Sequence, residues 1–260
     1  MRYTSPSDVD GVTAALAGGG AVVIGGGTMV VPDMTHGRVR PAAVVDLARA
    51  GLAGVTRGDG GWVIGAMTTY TELERSGVPL LTIMARGITG GPQIRNRGTV
   101  GGSASYANPS SDVPAALVAL GARLRLAKTG GVREVAAADF FLGAFRTARE
   151  PDEVLTAITV PETDASLGYL KFKLVEGSWP IVTAAAVAGP TIRVVLGGAA
   201  ATPVAVEVAR ESWREQLRPA VDRVLTEPWD DVLAPGRYRA RIAPVIAARS
   251  VAGALSEEAA

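Results

Sequence analysis

Cysteine is absent from the 260-residue sequence, and histidine occurs once, at His36. Without a thiolate the chain cannot ligate an iron–sulfur cluster, build a cysteine zinc site, form a disulfide or carry a thiol nucleophile. A single imidazole rules out a histidine-rich metal site and leaves a Ser-His-Asp triad one residue to rest on. Aromatic residues make up only 5%, so the core has to be built from Ala, Val, Leu and Ile. No apolar run approaches the ~20 residues of a membrane-spanning helix. Residues 1–6 carry no apolar stretch of the secretory kind, so cytoplasmic residence is expected. The net charge is +1 without a Lys/Arg run, which argues against nucleic-acid binding. Chemistry in such a chain is expected from an organic cofactor or a partner.

The hydrophobic fraction of 48% and charged fraction of 20% describe an ordinary globular chain, long enough for one large domain or two modest ones. Ser7, with Asp10 three positions on, reads as a helix start, followed by an apolar face of Val9, Val12 and Leu16 and a stop at Gly18-Gly19-Gly20. Residues 21–24 read as a short buried strand running into Gly25-Gly26-Gly27, and 43–46 as a second strand beyond a stretch broken by Pro32 and Pro41. This opening third is a small α/β unit. Further on come a strand at 62–65, a capping box from Thr69 to Glu72, and a helix beginning near Asp112 with Pro114 in its first turn. A hairpin spans 123–126 and 132–135 around Gly130-Gly131, and a strand at 154–160 is closed by Pro161. The last hundred residues suggest three antiparallel strands, at 169–174, 182–187 and 191–196. Two helical stretches follow, the second with Tyr238, Ile242, Val245 and Ile246 on one face. A boundary is expected near 163–166, and a frayed tail at 257–260.

Gly25 and Gly27 after a strand, with Asp46 about 20 residues on, invite a Rossmann reading. Three features argue against it. Val30 holds the third glycine position, Pro32 interrupts the helix that should follow, and no βαβαβ alternation comes after. The triple glycine still offers backbone N–H groups without Cβ obstruction, which can close around phosphate oxygens. Residues 98–103, Gly-Thr-Val-Gly-Gly-Ser, offer the same with two added hydroxyls. Two such loops suit a pyrophosphate; the alternative is that both are merely tight turns in a chain of 32 glycines.

The match extends beyond glycine. Gln93-Ile94-Arg95-Asn96-Arg97-Gly98-Thr99-Val100-Gly101-Gly102, followed by Asn108-Pro109-Ser110-Ser111-Asp112-Val113-Pro114-Ala115, resembles the signature of the FAD-binding (medium) subunits of molybdenum hydroxylases, such as carbon monoxide dehydrogenase and xanthine dehydrogenase. Gly26-Gly27-Thr28 with Val45-Asp46-Leu47 resembles that family's first loop and following strand. Phe140-Phe141-Leu142-Gly143 with residues 151–161 resembles its third block, and Leu196-Gly197-Gly198-Ala199 with the Tyr238-Arg239 helix its C-terminal domain.

The resemblance implies an α+β fold: a two-subdomain FAD-binding domain of the vanillyl-alcohol-oxidase/PCMH type over 1–162 (subdomains about 1–55 and 56–162). A small α+β domain with a three-stranded antiparallel sheet would follow over 163–260. It implies that Gly25, Gly26, Gly27, Thr28 and Met29 form one grip on the FAD pyrophosphate, and Thr99, Gly101, Gly102 and Ser103 the other. It also implies that Asp112 lies near the ribose and phosphates (with helix capping as its plainer role), that the Leu155 backbone meets the adenine side, and that Lys173 stands near the flavin, with Lys171 as a competitor. Departures from the pattern are Met29, Ser105-Tyr106-Ala107 and the segment 175–180, where Trp179 is either a flavin cover or structural. His36, beyond the loop and past Pro32, is expected not to bind FAD covalently. The implied role is an electron-transfer subunit, with an iron–sulfur small subunit and a molybdopterin large subunit as partners and a small-molecule electron acceptor. A standalone flavoenzyme and a non-catalytic nucleotide-binding module are the rivals.

Overall fold

The computed structural model describes residues 1–256; the expected frayed tail lies outside them. The chain opens with β1 (Arg2–Thr4), α1 (Val9–Leu16), β2 (Ala21–Ile24), α2 (Val30–Thr35) and β3 (Ala43–Asp46). The three strands form a parallel sheet in the order β1-β3-β2. Asp8, not Ser7, caps α1: its extended backbone lets Oδ1 accept from the Gly11 amide at 2.8 Å. Strand β2 is half-buried rather than buried, because Ala21, Val22 and Val23 form part of a cleft wall. Pro32 does not interrupt the helix after the glycines. It is the third residue of α2, where its missing N–H would have had no partner inside the helix.

The middle of the chain runs through β4 (Val55–Gly58), β5 (Gly61–Gly65), α3 (Tyr70–Arg75), α4 (Leu81–Arg86), α5 (Gly91–Arg95), α6 (Val100–Tyr106) and α7 (Asp112–Ala119). There follow β6 (Arg123–Lys128), β7 (Gly131–Ala136), α8 (Ala137–Phe140), β8 (Phe141–Gly143), β9 (Arg146–Thr147) and β10 (Val154–Pro161). A five-stranded antiparallel sheet orders these as β4-β5-β10-β6-β7. Inward-facing Ile64, Leu124, Leu126 and Ile158 meet α3, α4, α6 and α7 in one core, each essentially inaccessible to solvent. The capping box of α3 is complete: Thr69 Oγ1 accepts from Glu72 N, and Glu72 Oε2 accepts from Thr69 N at 2.7 Å. Every residue of α7, Asp112 included, is buried. This helix packs on α4 and α6 and also on the C-terminal sheet, which leaves it no solvent face.

That sheet has four strands rather than the expected three: β11 (Ser166–Lys173), β12 (Pro180–Ala188), β13 (Thr191–Gly197) and β14 (Val204–Ala209), antiparallel throughout. The fourth shows the alternation of a half-buried strand, with Val206 and Val208 inward and Ala205 and Glu207 outward. A 3₁₀ turn (Arg210–Ser212), α9 (Trp213–Val224) and α10 (Gly236–Leu255) cover one face. The expected apolar face of α10 is displaced. Ile246 is buried and Ile242 half-buried, but Tyr238 and Val245 are each 39% exposed, and the seated face carries Arg239, Ala243, Ala247, Ser250 and Val251. Small residues there let the helix backbone approach the sheet, and a Cβ on Gly168 of β11 would sit 2.0 Å from the Ser250 carbonyl oxygen. Among the described residues no helix is long and apolar enough to cross a membrane.

Candidate functional site

A cleft of about 260 Å³ is walled by β2 and the loop after it, by the start of α6, and by the first residues of β10. Residues 25–29 leave the C-terminal end of β2 before α2 begins. Their backbone amides, those of Gly25, Gly26, Gly27, Thr28 and Met29, donate to no acceptor among the described residues. Buried or half-buried amides are normally paired, so five consecutive free donors facing a cleft call for an external acceptor. An anion supplies one.

The glycines are required by close approach. A Cβ on Gly26 would lie 1.8 Å from the carbonyl oxygen of Arg97, and one on Gly25 would lie 3.1 Å from Thr99 Oγ1. Gly27 has φ +75°, in the left-handed region. The first loop therefore rests directly on the segment 97–99, and the two glycine motifs, some 75 residues apart in sequence (102 less 27), meet in space.

The second motif works differently from the expectation of a second row of exposed amides. Val100 N donates to Thr68 O (3.0 Å), Gly101 N to Ala66 O (2.9 Å), Gly102 N to Thr99 Oγ1 (3.1 Å) and Ser103 N to Thr99 O (3.1 Å). These amides serve the fold because Thr99 is the N-cap of α6. Gly101 is glycine because Ala66 packs on it, where a Cβ would meet Ala66 Cβ at 2.6 Å. What this motif offers the cleft is the free Thr99 N–H and the hydroxyls of Thr99 and Ser103, the latter bonded to the buried Tyr70 hydroxyl. Burial raises the Tyr70 phenol well above its usual range, so it stays protonated.

The remaining expected residues divide. Leu155 lines the cleft beside Val154. Asp112 does not line it, and its carboxylate is turned away from helix capping. Oδ2 pairs with Lys171 Nζ at 2.9 Å and Oδ1 accepts from the Tyr169 hydroxyl, while the lysine also donates to Gly87 O at 2.7 Å. Burial pushes the Asp112 carboxyl upward, against the pull of Lys171 and Tyr169. Its neighbour Ser111 is the residue that reaches the cleft. Lys173 is not a lining residue either; it pairs with Glu176 at 2.6 Å, a carboxylate almost wholly in solvent. His36 is exposed, with Nδ1 against Pro32 O, and is not a lining residue.

Two aromatic residues left open by the sequence, Tyr106 and Trp179, both line the cleft. The Tyr106 hydroxyl donates to Asp33 of α2 (3.3 Å), which ties the helix after the first loop to the end of α6. Arg149 also lines the cleft and carried no sequence signal, while Glu153 stood inside the third block without being singled out for the site. Glu153 is 1% exposed and takes two guanidinium bonds from Arg133, at 2.6 and 2.8 Å. The walls of β2 could have been read from the strand-into-glycine pattern; Arg149 sits in no pattern at all.

The residues fit the pyrophosphate of a dinucleotide: a row of free amides seated on segment 97–99 too closely for a Cβ at Gly26, with the hydroxyls of Thr99 and Ser103 and apolar residues of β2 and β10 in the same lining. Comparison with known proteins agrees. The family described as the FAD binding domain in molybdopterin dehydrogenase matches residues 1–163. The carbon monoxide dehydrogenase medium chain of Afipia carboxidovorans is 33% identical over 96% of this chain and 94% of its own. The xanthine dehydrogenase FAD-binding subunit of Escherichia coli O157:H7 is 33% identical over 59% of this chain and 55% of its own. In the crystal structure of the Cu,Mo-CO dehydrogenase in its cyanide-inactivated form, a chain 33% identical superposes with a TM-score of 0.91, over 98% of each chain. The chain therefore belongs to the FAD-binding family of molybdopterin dehydrogenases, and is an FAD-dependent oxidoreductase subunit of the medium-chain type with an α+β FAD-binding fold.

Proposed function

We propose that this chain holds FAD noncovalently and relays electrons from an iron–sulfur small subunit, itself fed by a molybdopterin large subunit, to a small-molecule acceptor. The row of unpaired amides at residues 25–29 carries this reading. They take the pyrophosphate charge, with Thr99 and Ser103 donating from the opposite side and Gly101 and Gly102 keeping that side close. Asp112 acts from behind the wall, fixing the start of α7 and thus Ser111 through Lys171 and Tyr169. Leu155 presents its backbone on the adenine side. Lys173 is the cation for the flavin side, since its exposed bridge to Glu176 is weakly held and readily exchanged. Residues 1–162 form the FAD-binding domain of the PCMH type, with subdomains about 1–55 and 56–162, and 163–260 the C-terminal domain.

Bound FAD supplies the redox chemistry, accepting electrons from the partner side and releasing them to the acceptor. The protein supplies orientation and exclusion of water. The absence of cysteine from this chain assigns any iron–sulfur cluster to a partner. Expression with and without the neighbouring subunits tests the division of labour. The chain alone should bind FAD and leave substrates of the complex unoxidised, and substrate-driven flavin reduction by the isolated chain would contradict it.

A further inference from the structure

Tyr70, the first residue of α3, is buried in the central core and runs behind the second glycine motif from one end to the other. Its backbone N–H donates to Gly98 O at 3.1 Å, and its ring lies so close to Gly98 that a Cβ there would sit 2.8 Å from Cε2. The hydroxyl at the far end of the ring meets Ser103 Oγ, one turn into α6. The capping box between Thr69 and Glu72 fixes the start of α3 and with it the place of the ring. Ser103 lines the cleft, whereas Tyr70 does not.

Two hydroxyls that share one bond leave one hydrogen over, and the surroundings decide which. Among the described residues the Tyr70 hydroxyl has Ser103 Oγ as its one hydrogen-bond partner. The Asp112 carboxylate, whose charge acts on this phenol, is taken up by Lys171 and Tyr169. If Ser103 donated, the phenolic hydrogen would be stranded among buried apolar side chains, and a buried donor without an acceptor is costly. Donation by Tyr70 avoids this, and burial keeps the phenol protonated for it. The spare hydrogen is then the serine's. A serine inside a helix can return that hydrogen to the carbonyl four residues back. Here Thr99 O accepts from the Ser103 amide at 3.1 Å and takes no bond from its hydroxyl. The Ser103 hydroxyl is therefore left half-buried on the cleft, engaged as an acceptor from behind and free to donate to a ligand. Accepting from a phenol also polarises it into a stronger donor.

We infer that Tyr70 is a positioning residue for the cofactor's phosphates: by donating to Ser103 Oγ it makes that hydroxyl a dedicated hydrogen-bond donor to a phosphate oxygen, without touching the ligand itself. This role rests on the cofactor reading above and deepens it. It accounts for a hydroxyl at a position where the packing asks only for a ring.

The test is a double-variant cycle on the full-length apo chain, titrated with FAD and followed by flavin fluorescence. Tyr70→Phe keeps the ring against Gly98 and removes only the donor, so FAD should bind about 5-fold more weakly, the order of one hydrogen bond. Ser103→Ala should lose about 10-fold or more, because a bond to a charged phosphate goes with it. In the Ser103→Ala background the phenylalanine should make no further difference. A Tyr70 that acts through packing alone would instead cost the same in both backgrounds. If Tyr70→Phe fails to fold, Tyr70→Met carries the same cycle, since the cost of the lost ring cancels between the two backgrounds. Wild-type affinity in a folded Tyr70→Phe chain, or equal losses with and without the serine hydroxyl, would each overturn the assignment. A wild-type chain that takes up no FAD would overturn the cofactor reading itself.

Discussion

At the scale of single residues, the account rests on where a β-carbon has no room. Gly26→Ala drives a methyl group into the Arg97 carbonyl and separates the two loops, so FAD binding is expected to fall by at least two orders of magnitude while the rest of the fold persists. Titration of the folded variant with FAD checks this. Capping supplies a finer contrast, since Asp8 and Ser7 are adjacent and only one closes α1. Asp8→Ala should cost about 1 kcal/mol in urea unfolding and Ser7→Ala almost nothing. Glu153 gives a pH dependence with a definite sign. Burial pushes its carboxyl up, but the bonds from Arg133 and the Glu150 amide outweigh this and hold it below its ordinary 4.5. The stability it contributes is therefore complete above about pH 4.5 and lost as the pH falls through the lower folded-state value. Thermal melts of Glu153→Gln against wild type should differ most at neutral pH and converge in acid.

At the scale of elements, the C-terminal layer braces the cleft wall. Arg239 of α10 is fully buried and donates to the carbonyls of Ile181 and Gly198 and to Asp231, while the Gly198 amide holds Pro109 O at 2.8 Å. Pro109 lies between Asn108 and Ser111, both on the cleft. Arg239→Met strands Asp231 and two buried carbonyls, so a loss of about 3–5 kcal/mol in denaturant unfolding is expected. The elements also show what the sequence could reveal. Strands and turns with strong local chemistry were legible: the Thr69 capping box, the hairpin at Gly130-Gly131, and the strand that runs into Gly25. Strand β14 lies outside the three strands expected from the sequence, although its alternation is regular. The seated face of α10 was misjudged because its contacts are made by Ala, Ser and a buried arginine rather than by its larger apolar residues. Pro32 misled in the same way, since a proline three residues into a helix does no harm that its position in sequence could reveal.

For the whole molecule, the cleft is assembled from β2, α6, the start of β10 and the β11–β12 connection, which are distant in sequence and brought together by three sheets. That is why the two glycine motifs stood out in the sequence while the different use of their amides did not. Free amides at 25–29 and internally bonded amides at 100–103 look alike as sequence and differ only in which neighbours the fold supplies. Asp112 was likewise visible as a marker, but its link to Lys171 needs the C-terminal sheet to lie across α7. The central claim is that the row of free amides, resting on segment 97–99, forms a noncovalent FAD site. It is tested most directly by titrating the purified apo chain with FAD, then precipitating the complex with acid. The account predicts one FAD per chain, released in full into the acid supernatant, and no binding by Gly26→Ala. A colourless wild-type chain that fails to take up FAD, or flavin that stays with the precipitate, would contradict it.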